Sequence, residues 1–165
     1  MSRVHLILGP VGAGKSTYGA HLSLRSRALF LNLDAWTARL YGADPRPETG
    51  RIAWYLERRD RCLGQIWAVA VDLLAFGNDV ILEVGLLTRA EREVFYAQVA
   101  DTDADLVVHV LDAPIEVRRA RVSRRNTERG PTFSIEVPMD FFELASAVWE
   151  PPDDAERAAH DIRDV

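Results

Sequence analysis

Lysine is almost missing from this chain: of its twenty lysines and arginines, nineteen are arginine, and the single lysine is Lys15. Cysteine is as scarce. Cys62 stands alone, so neither an internal disulfide framework nor a cysteine-based zinc site can be built, and a reducing compartment suits the chain. No stretch approaches the roughly 18 uninterrupted apolar residues of a membrane-crossing helix. The opening MSRVHLILGPVGAG starts like a secretion signal, but its apolar part, VHLIL, is too short and runs straight into glycines and the lysine. A cytoplasmic protein with no membrane contact is expected. Internal repeats and an interdomain linker are also lacking, and 165 residues at 48% hydrophobic and 27% charged have the size and composition of one globular domain spanning residues 1–165. The formal charge of −5 offers no general attraction for nucleic acid, so any bound anion must be met locally. Nothing in the sequence speaks to oligomeric state.

What is present alternates. Short β-rich runs (Val4 to Leu8, Ala28 to Leu33, Asp79 to Val84, Asp105 to Leu111) are separated by longer stretches of helical spacing. This pattern predicts parallel strands joined by helical crossovers, a three-layer α/β domain. A long helix is predicted over Arg51 to Phe76, stopped by Gly77-Asn78. Another starts at TRAE, whose spacing from Thr88 to Glu91 is that of a capping box. Pro114 opens an arginine-rich helix from Ile115 to about Arg129, MDFFELASAVW is a further helix broken by EPPDD, and HDIRDV is a candidate fifth strand. A short helix is also predicted to begin near Trp36.

The chemistry concentrates at Gly9-Pro10-Val11-Gly12-Ala13-Gly14-Lys15-Ser16-Thr17. This segment matches G-x-x-x-x-G-K-[ST], with a predicted strand before it and a helix after it. Such a loop turns successive N–H groups inward at the positive end of a helix dipole, a nest for triphosphate oxygens. Lys15 would reach the β- and γ-phosphates of ATP, and the Ser16 hydroxyl would take a site on Mg²⁺. The slot favours a slender ammonium over a planar guanidinium, which gives the lone lysine a reason to persist. With no second lysine there is no N/T-K-x-D motif, so a switch GTPase is excluded.

In parallel α/β sheets ligands lie beyond the carboxyl ends of the strands, where Asp34 and Glu83 fall. Asp34 suits either of two tasks, base for an attacking hydroxyl or N-cap of the helix near Trp36. Glu83 is a candidate Mg²⁺ ligand, directly or through water. Between Arg118 and Arg129 stand six arginines and one acid, Glu128. Arg118, Arg121, Arg125 and Arg129 share one helical face by spacing. Following the fourth strand of a phosphate-loop domain, the block reads as a lid over about residues 118–135, hinged at Gly130-Pro131, with Arg121 and Arg125 as the preferred transition-state cations.

Together, GPVGAGKST, LNLDAWTARLYG, VILEVGLLTRAERE, VLDAPIEVRRARVSRRN and VWEPPDD resemble the landmarks of small ATP-binding P-loop kinases allied to chloramphenicol phosphotransferase, zeta toxin and the kinase part of polynucleotide kinases. The resemblance implies an adenylate-kinase-like fold, a five-stranded parallel sheet in the order 2-3-1-4-5 with helices on both faces and an arginine-rich lid. It also implies that Asp34 is the base for the acceptor hydroxyl, that Arg121 and Arg125 are lid arginines, that Arg92 faces substrate or phosphate, and that the EPP stretch lies close to the adenine. The chain departs from the family at Glu83, where relatives commonly carry aspartate. The function implied is transfer of the γ-phosphoryl of Mg-ATP to a hydroxyl of a small molecule, with the segment from Trp36 to Tyr41 and the residues Trp54, Tyr55, Arg58 and Arg59 as candidate pocket walls. A 5′-hydroxyl polynucleotide kinase is the enzymatic alternative, disfavoured by the acidic surface, and a non-catalytic ATP-binding regulatory module is the alternative of another class.

Overall fold

The computed structural model describes residues 1–130, 133–134 and 136–165 of the chain. Five strands, β1 (Arg3–Leu8), β2 (Leu29–Asn32), β3 (Val80–Glu83), β4 (Asp105–Val110) and β5 (Asp161–Asp164), pair in parallel throughout, in the order β2-β3-β1-β4-β5. This is the predicted order, and HDIRDV supplies the fifth strand. Among the described residues the helices are α1 (Lys15–Ser26), α2 (Leu33–Tyr41), α3 (Arg51–Ala75), α4 (Arg89–Ala100), α5 (Ile115–Glu128), α6 (Met139–Val148) and α7 (Asp154–Ala159).

The central strands are apolar on both faces because both are covered. Val4, Leu6 and Leu8 of β1, with Val80 and Leu82 of β3, point to one face and meet Cys62, Ile66 and Ala70 of α3 and Phe95 and Val99 of α4. Ile7 and Ile81 point the other way, to Tyr18 and Leu22 of α1. Each such side chain, fully buried, contributes about 1.5–3 kcal/mol. On the α1 face β1 and β4 also bury a polar row. Tyr18 Oη lies 2.9 Å from His109 Nδ1, His109 Nε2 lies 3.0 Å from His5 Nδ1, and His5 Nε2 lies 4.0 Å from an Asp79 carboxylate oxygen. With both rings neutral, Tyr18 donates to His109 and His109 to His5, which leaves the remaining proton on His5 Nε2, the nitrogen nearest Asp79.

Local signals set the helix starts. Thr88 and Glu91 form the predicted capping box of α4. EPPDD breaks α6 as predicted, but its last residues then start α7, which the sequence reading did not include. Asp153 accepts from Glu156 N while the Glu156 side chain accepts from Asp153 N, a second capping box. The junction that matters most for the site is β2 to α2: the strand ends at Asn32 and the helix begins at Leu33, with no loop between them.

Candidate active site

The loop between β1 and α1 is pressed against its neighbours, and this explains its glycines. A Cβ on Gly9 would stand 2.3 Å from Leu111 O, and on Gly12, where φ is +82°, 2.8 Å from Arg118 O. No other residue fits those two places without displacing backbone. Pro10 closes the turn by accepting from Ala13 N at 3.2 Å, and the Lys15 ammonium donates to the carbonyls of Gly9 and Pro10 at 2.8 and 3.0 Å. Val11 faces α5 instead: its carbonyl accepts from Arg118 Nη1 at 3.0 Å. Gly12, Ala13, Gly14, Lys15, Ser16 and Thr17 line a groove of about 580 Å³ together with Glu83, Arg121 and Arg125. That volume is within the range of small-molecule sites.

Glu83 closes β3 beside the loop and is buried. Its Oε1 accepts from Ser16 Oγ at 3.2 Å and its Oε2 from Asn32 Nδ2 at 2.6 Å. Burial pushes the Glu83 carboxyl up from its ordinary value. The Lys15 charge and the two hydrogen bonds oppose that rise, while the Asp34 charge adds to it. Lys15 is lowered, first by burial, with Glu83 and Asp34 opposing and Arg125 and Arg118 reinforcing. Asp34 also bears on Tyr55 of α3, whose phenol is raised by burial and then by the Asp34 charge.

Asp34 is exposed in the first turn of α2, and among the described residues no hydrogen bond engages its carboxylate. It is not the helix cap. That task falls to Asn32, whose Oδ1 accepts from Ala35 N at 2.7 Å, because α2 starts three residues earlier than the spacing suggested. Asn32 was not singled out in the sequence. The available signal was an asparagine near the end of a strand run, two residues before an aspartate.

The arginine block divides. Arg121 Nη1 lies 3.4 Å from the carbonyls of Gly12 and Ala13, and Arg125, on the same groove wall, buries an Nε that has no hydrogen-bond partner among the described residues. Arg118 lies on the same side of α5 but does not line the groove. It is buried and braces the loop from behind, donating to Val11 O, Ala113 O and Ser146 Oγ, each at 3.0 Å, with Phe142 beneath its guanidinium. Arg129 ends the helix in the left-handed region, 3.7 Å from Glu136. Pro131, one half of the expected hinge, and residues 132 and 135 of the expected lid lie outside the described residues.

One further expectation is corrected, and the EPP stretch is located away from the phosphate groove. Arg92 faces neither substrate nor phosphate: it is fully buried, with Nε 2.7 Å from Glu156 Oε1 and Nη2 2.8 Å from Oε2, and it donates to Glu150 O at 2.7 Å. The helical phase of α4 turns residues 92, 95, 96 and 99 into the protein. The EPP stretch is fastened to the same helix, Glu150 N donating to Leu87 O and Arg89 N to Glu150 Oε2, and it does not line the groove. Among the proposed pocket walls, Trp36 and Tyr41 pack on the core, and Arg58 lies over Trp54 at 4.0 Å and Tyr41 at 5.4 Å.

Comparison with known proteins agrees with this geometry. A shikimate kinase of Pseudoalteromonas translucida (strain TAC 125) is 26% identical over 154 residues, which cover 88% of this chain and 78% of that protein. A sugar kinase of Janibacter sp. HTCC2649 superposes with a TM-score of 0.66 at 19% identity, over 100% of this chain and 85% of the other. Kti12 of Chaetomium thermophilum, solved with ADP-AlF3, superposes with a TM-score of 0.70 at 16% identity, over 98% and 88%. The fold is that of a P-loop kinase. The AAA_33 family profile, an AAA domain, matches residues 4–152, and the chain belongs to that family.

Proposed function

We propose that this protein is an ATP-dependent phosphotransferase that moves the γ-phosphoryl group of Mg-ATP to a hydroxyl of a small molecule. One arrangement supports the reading above all. Lys15, Ser16 and Glu83 line one groove with Arg121 and Arg125, and Asp34 stands in the first turn of α2, two residues after the Asn32 that hydrogen-bonds Glu83. A shikimate kinase and a sugar kinase among its relatives favour a small hydroxylated acceptor.

The donors suit the expected guests. Ser16 Oγ and Glu83 Oε1 are hard oxygen atoms 3.2 Å apart, the kind Mg²⁺ takes alongside phosphate oxygens and water. Arg121 and Arg125 bring two guanidinium charges to the wall of the same groove, where an anionic phosphate oxygen would meet them. Ser16 and Glu83 would hold Mg²⁺, which when bound neutralises phosphate charge.

The chain's own groups do the rest. Lys15 and the N–H groups at the start of α1 bind the phosphate oxygens. Asp34 orients the acceptor hydroxyl and takes its proton as the hydroxyl oxygen bonds to the γ-phosphorus and the bond from that phosphorus to the bridging oxygen breaks, releasing ADP. Arg121 and Arg125, in an arginine lid over about residues 118–135, meet the charge on the transferring group.

The decisive variant is Asp34→Asn, assayed by ADP release and product mass with Mg-ATP and a panel of polyols, hydroxy acids, sugars, nucleosides, aminoglycosides and a 5′-hydroxyl oligonucleotide. Transfer should fall about 100-fold or more, the usual size of a general-base contribution, with ATP affinity within about two-fold of wild type. Transfer to the oligonucleotide alone would replace this reading with the polynucleotide kinase. Absence of any transfer, together with an ATP-dependent change in affinity for another protein, would replace it with the regulatory module.

A further inference from the structure

Asn32 is the last residue of β2, and the parallel register sets it directly beside Glu83 of β3. Both side chains are buried, at 8% exposure each, and both ends of the Asn32 amide are used. Nδ2 donates to Glu83 Oε2 at 2.6 Å, and Oδ1 accepts from Ala35 N at 2.7 Å. Only one orientation of the amide meets both partners, because Ala35 N can only donate and a carboxylate can only accept. The other oxygen of Glu83 is left facing Ser16 Oγ. The single side chain thus touches the carboxylate that accepts from Ser16 and the first turn of the helix that carries Asp34.

We infer that Asn32 is a positioning residue of the transfer site, one that fixes which Glu83 oxygen faces the metal and, through the cap of α2, where Asp34 stands. The inference rests on the proposed reading of Glu83 as a carboxylate serving Mg²⁺. Asparagine suits the place because it is a strong N-cap and also a donor. Serine would cap equally well but lacks the reach and the amide donor, and alanine would do neither. Outer hydrogen bonds to a ligating carboxylate ordinarily set metal affinity by about 10–100-fold.

The test uses Mn²⁺ binding to the complex of the full chain with ADP, followed by electron paramagnetic resonance, with metal-free ADP affinity and thermal stability as controls. In Asn32→Ser, Mn²⁺ affinity should fall about ten-fold or more, while ADP affinity without metal stays near wild type and the melting temperature falls only by the few degrees that one lost buried hydrogen bond costs. On a Glu83→Gln background the same substitution should cost almost nothing further, since Asn32 acts through that carboxylate. Asn32→Ala should add a loss of kcat that saturating Mg²⁺ does not restore, reflecting the freed first turn of α2. If Asn32→Ser binds Mn²⁺ like wild type while Glu83→Gln binds it weakly, or if Asn32→Ser costs the same on both backgrounds, the inference is overturned and Glu83 keeps its assignment. If Glu83→Gln itself binds Mn²⁺ like wild type, the metal reading fails and the inference with it.

Discussion

Lys15 and Arg125 bring the same formal charge to one groove with different chemistry. The lysine crosses the mouth of the loop on a slim stem and reaches two carbonyls of the turn that cradles it. A guanidinium in that place would have to lay a planar fork across the same carbonyls, and nothing behind the loop yields, since the Gly9 and Gly12 backbones already touch Leu111 and Arg118. Lys15→Arg is therefore expected to lower kcat/KM by about 100-fold or more despite the conserved charge; near-normal kinetics would make the single lysine an accident of composition. At this scale legibility followed sequence distance. The loop reads directly because its glycines and lysine act within a few residues of one another. Asn32 did not, because its main partner, Glu83, lies 51 residues away and meets it only through strand register.

Among the elements, α5 separates tasks that spacing had merged. Arg118 points inward to brace the loop, while Arg121 and Arg125, one and two turns further on, reach the groove. Spacing identified a shared stripe but not how the stripe is shared out, because Phe142 of α6 packs against the Arg118 guanidinium and covers it. The α4–α7 contact teaches the same lesson more sharply. Arg92 sits in a segment, RAERE, that resembles a family position facing substrate or phosphate, yet a capping box at Asp153 creates α7 and delivers Glu156 to it. Removing one partner of such a buried pair leaves an uncompensated charge, so Arg92→Ala should destabilise the protein by about 3–5 kcal/mol in chemical denaturation. The double change Arg92→Met with Glu156→Leu should recover most of that loss. A single-variant cost below about 1 kcal/mol would mean that the pair is not the clasp between α4 and the EPP segment.

For the whole molecule, the α/β alternation was legible because covered parallel strands write continuous apolar runs, and the strand order came from the family resemblance. The polar row beneath α1 was not legible, since His5 and His109 look like ordinary interruptions of those runs. Its consequence is a pH dependence of folding. His109 is held down to about 4 from its ordinary 6.5, chiefly by burial and then by the neighbouring His5 and Arg163, and His5 is lowered too, by burial, against the pull of Asp79. Between those two values the unfolded chain carries a proton on this residue that the folded chain does not. Stability therefore rises with pH through the window and is lost on acidification, by at most about 3 kcal/mol from His109. Thermal unfolding followed between pH 7 and 4.5 should show a steeper fall for wild type than for His109→Gln; parallel curves would remove the row from the account.

The loopless passage from β2 into α2 has a mechanical meaning as well. A loop would have given Asp34 slack, whereas here its bearing is set by counting residues from a hydrogen-bonded strand. One residue inserted between Asn32 and Leu33 would turn the helix by about 100° and carry the carboxylate to another side, while the nucleotide end of the groove kept its shape. On the proposed reading, an enzyme and a mere nucleotide holder built on this fold stand a single peptide unit apart.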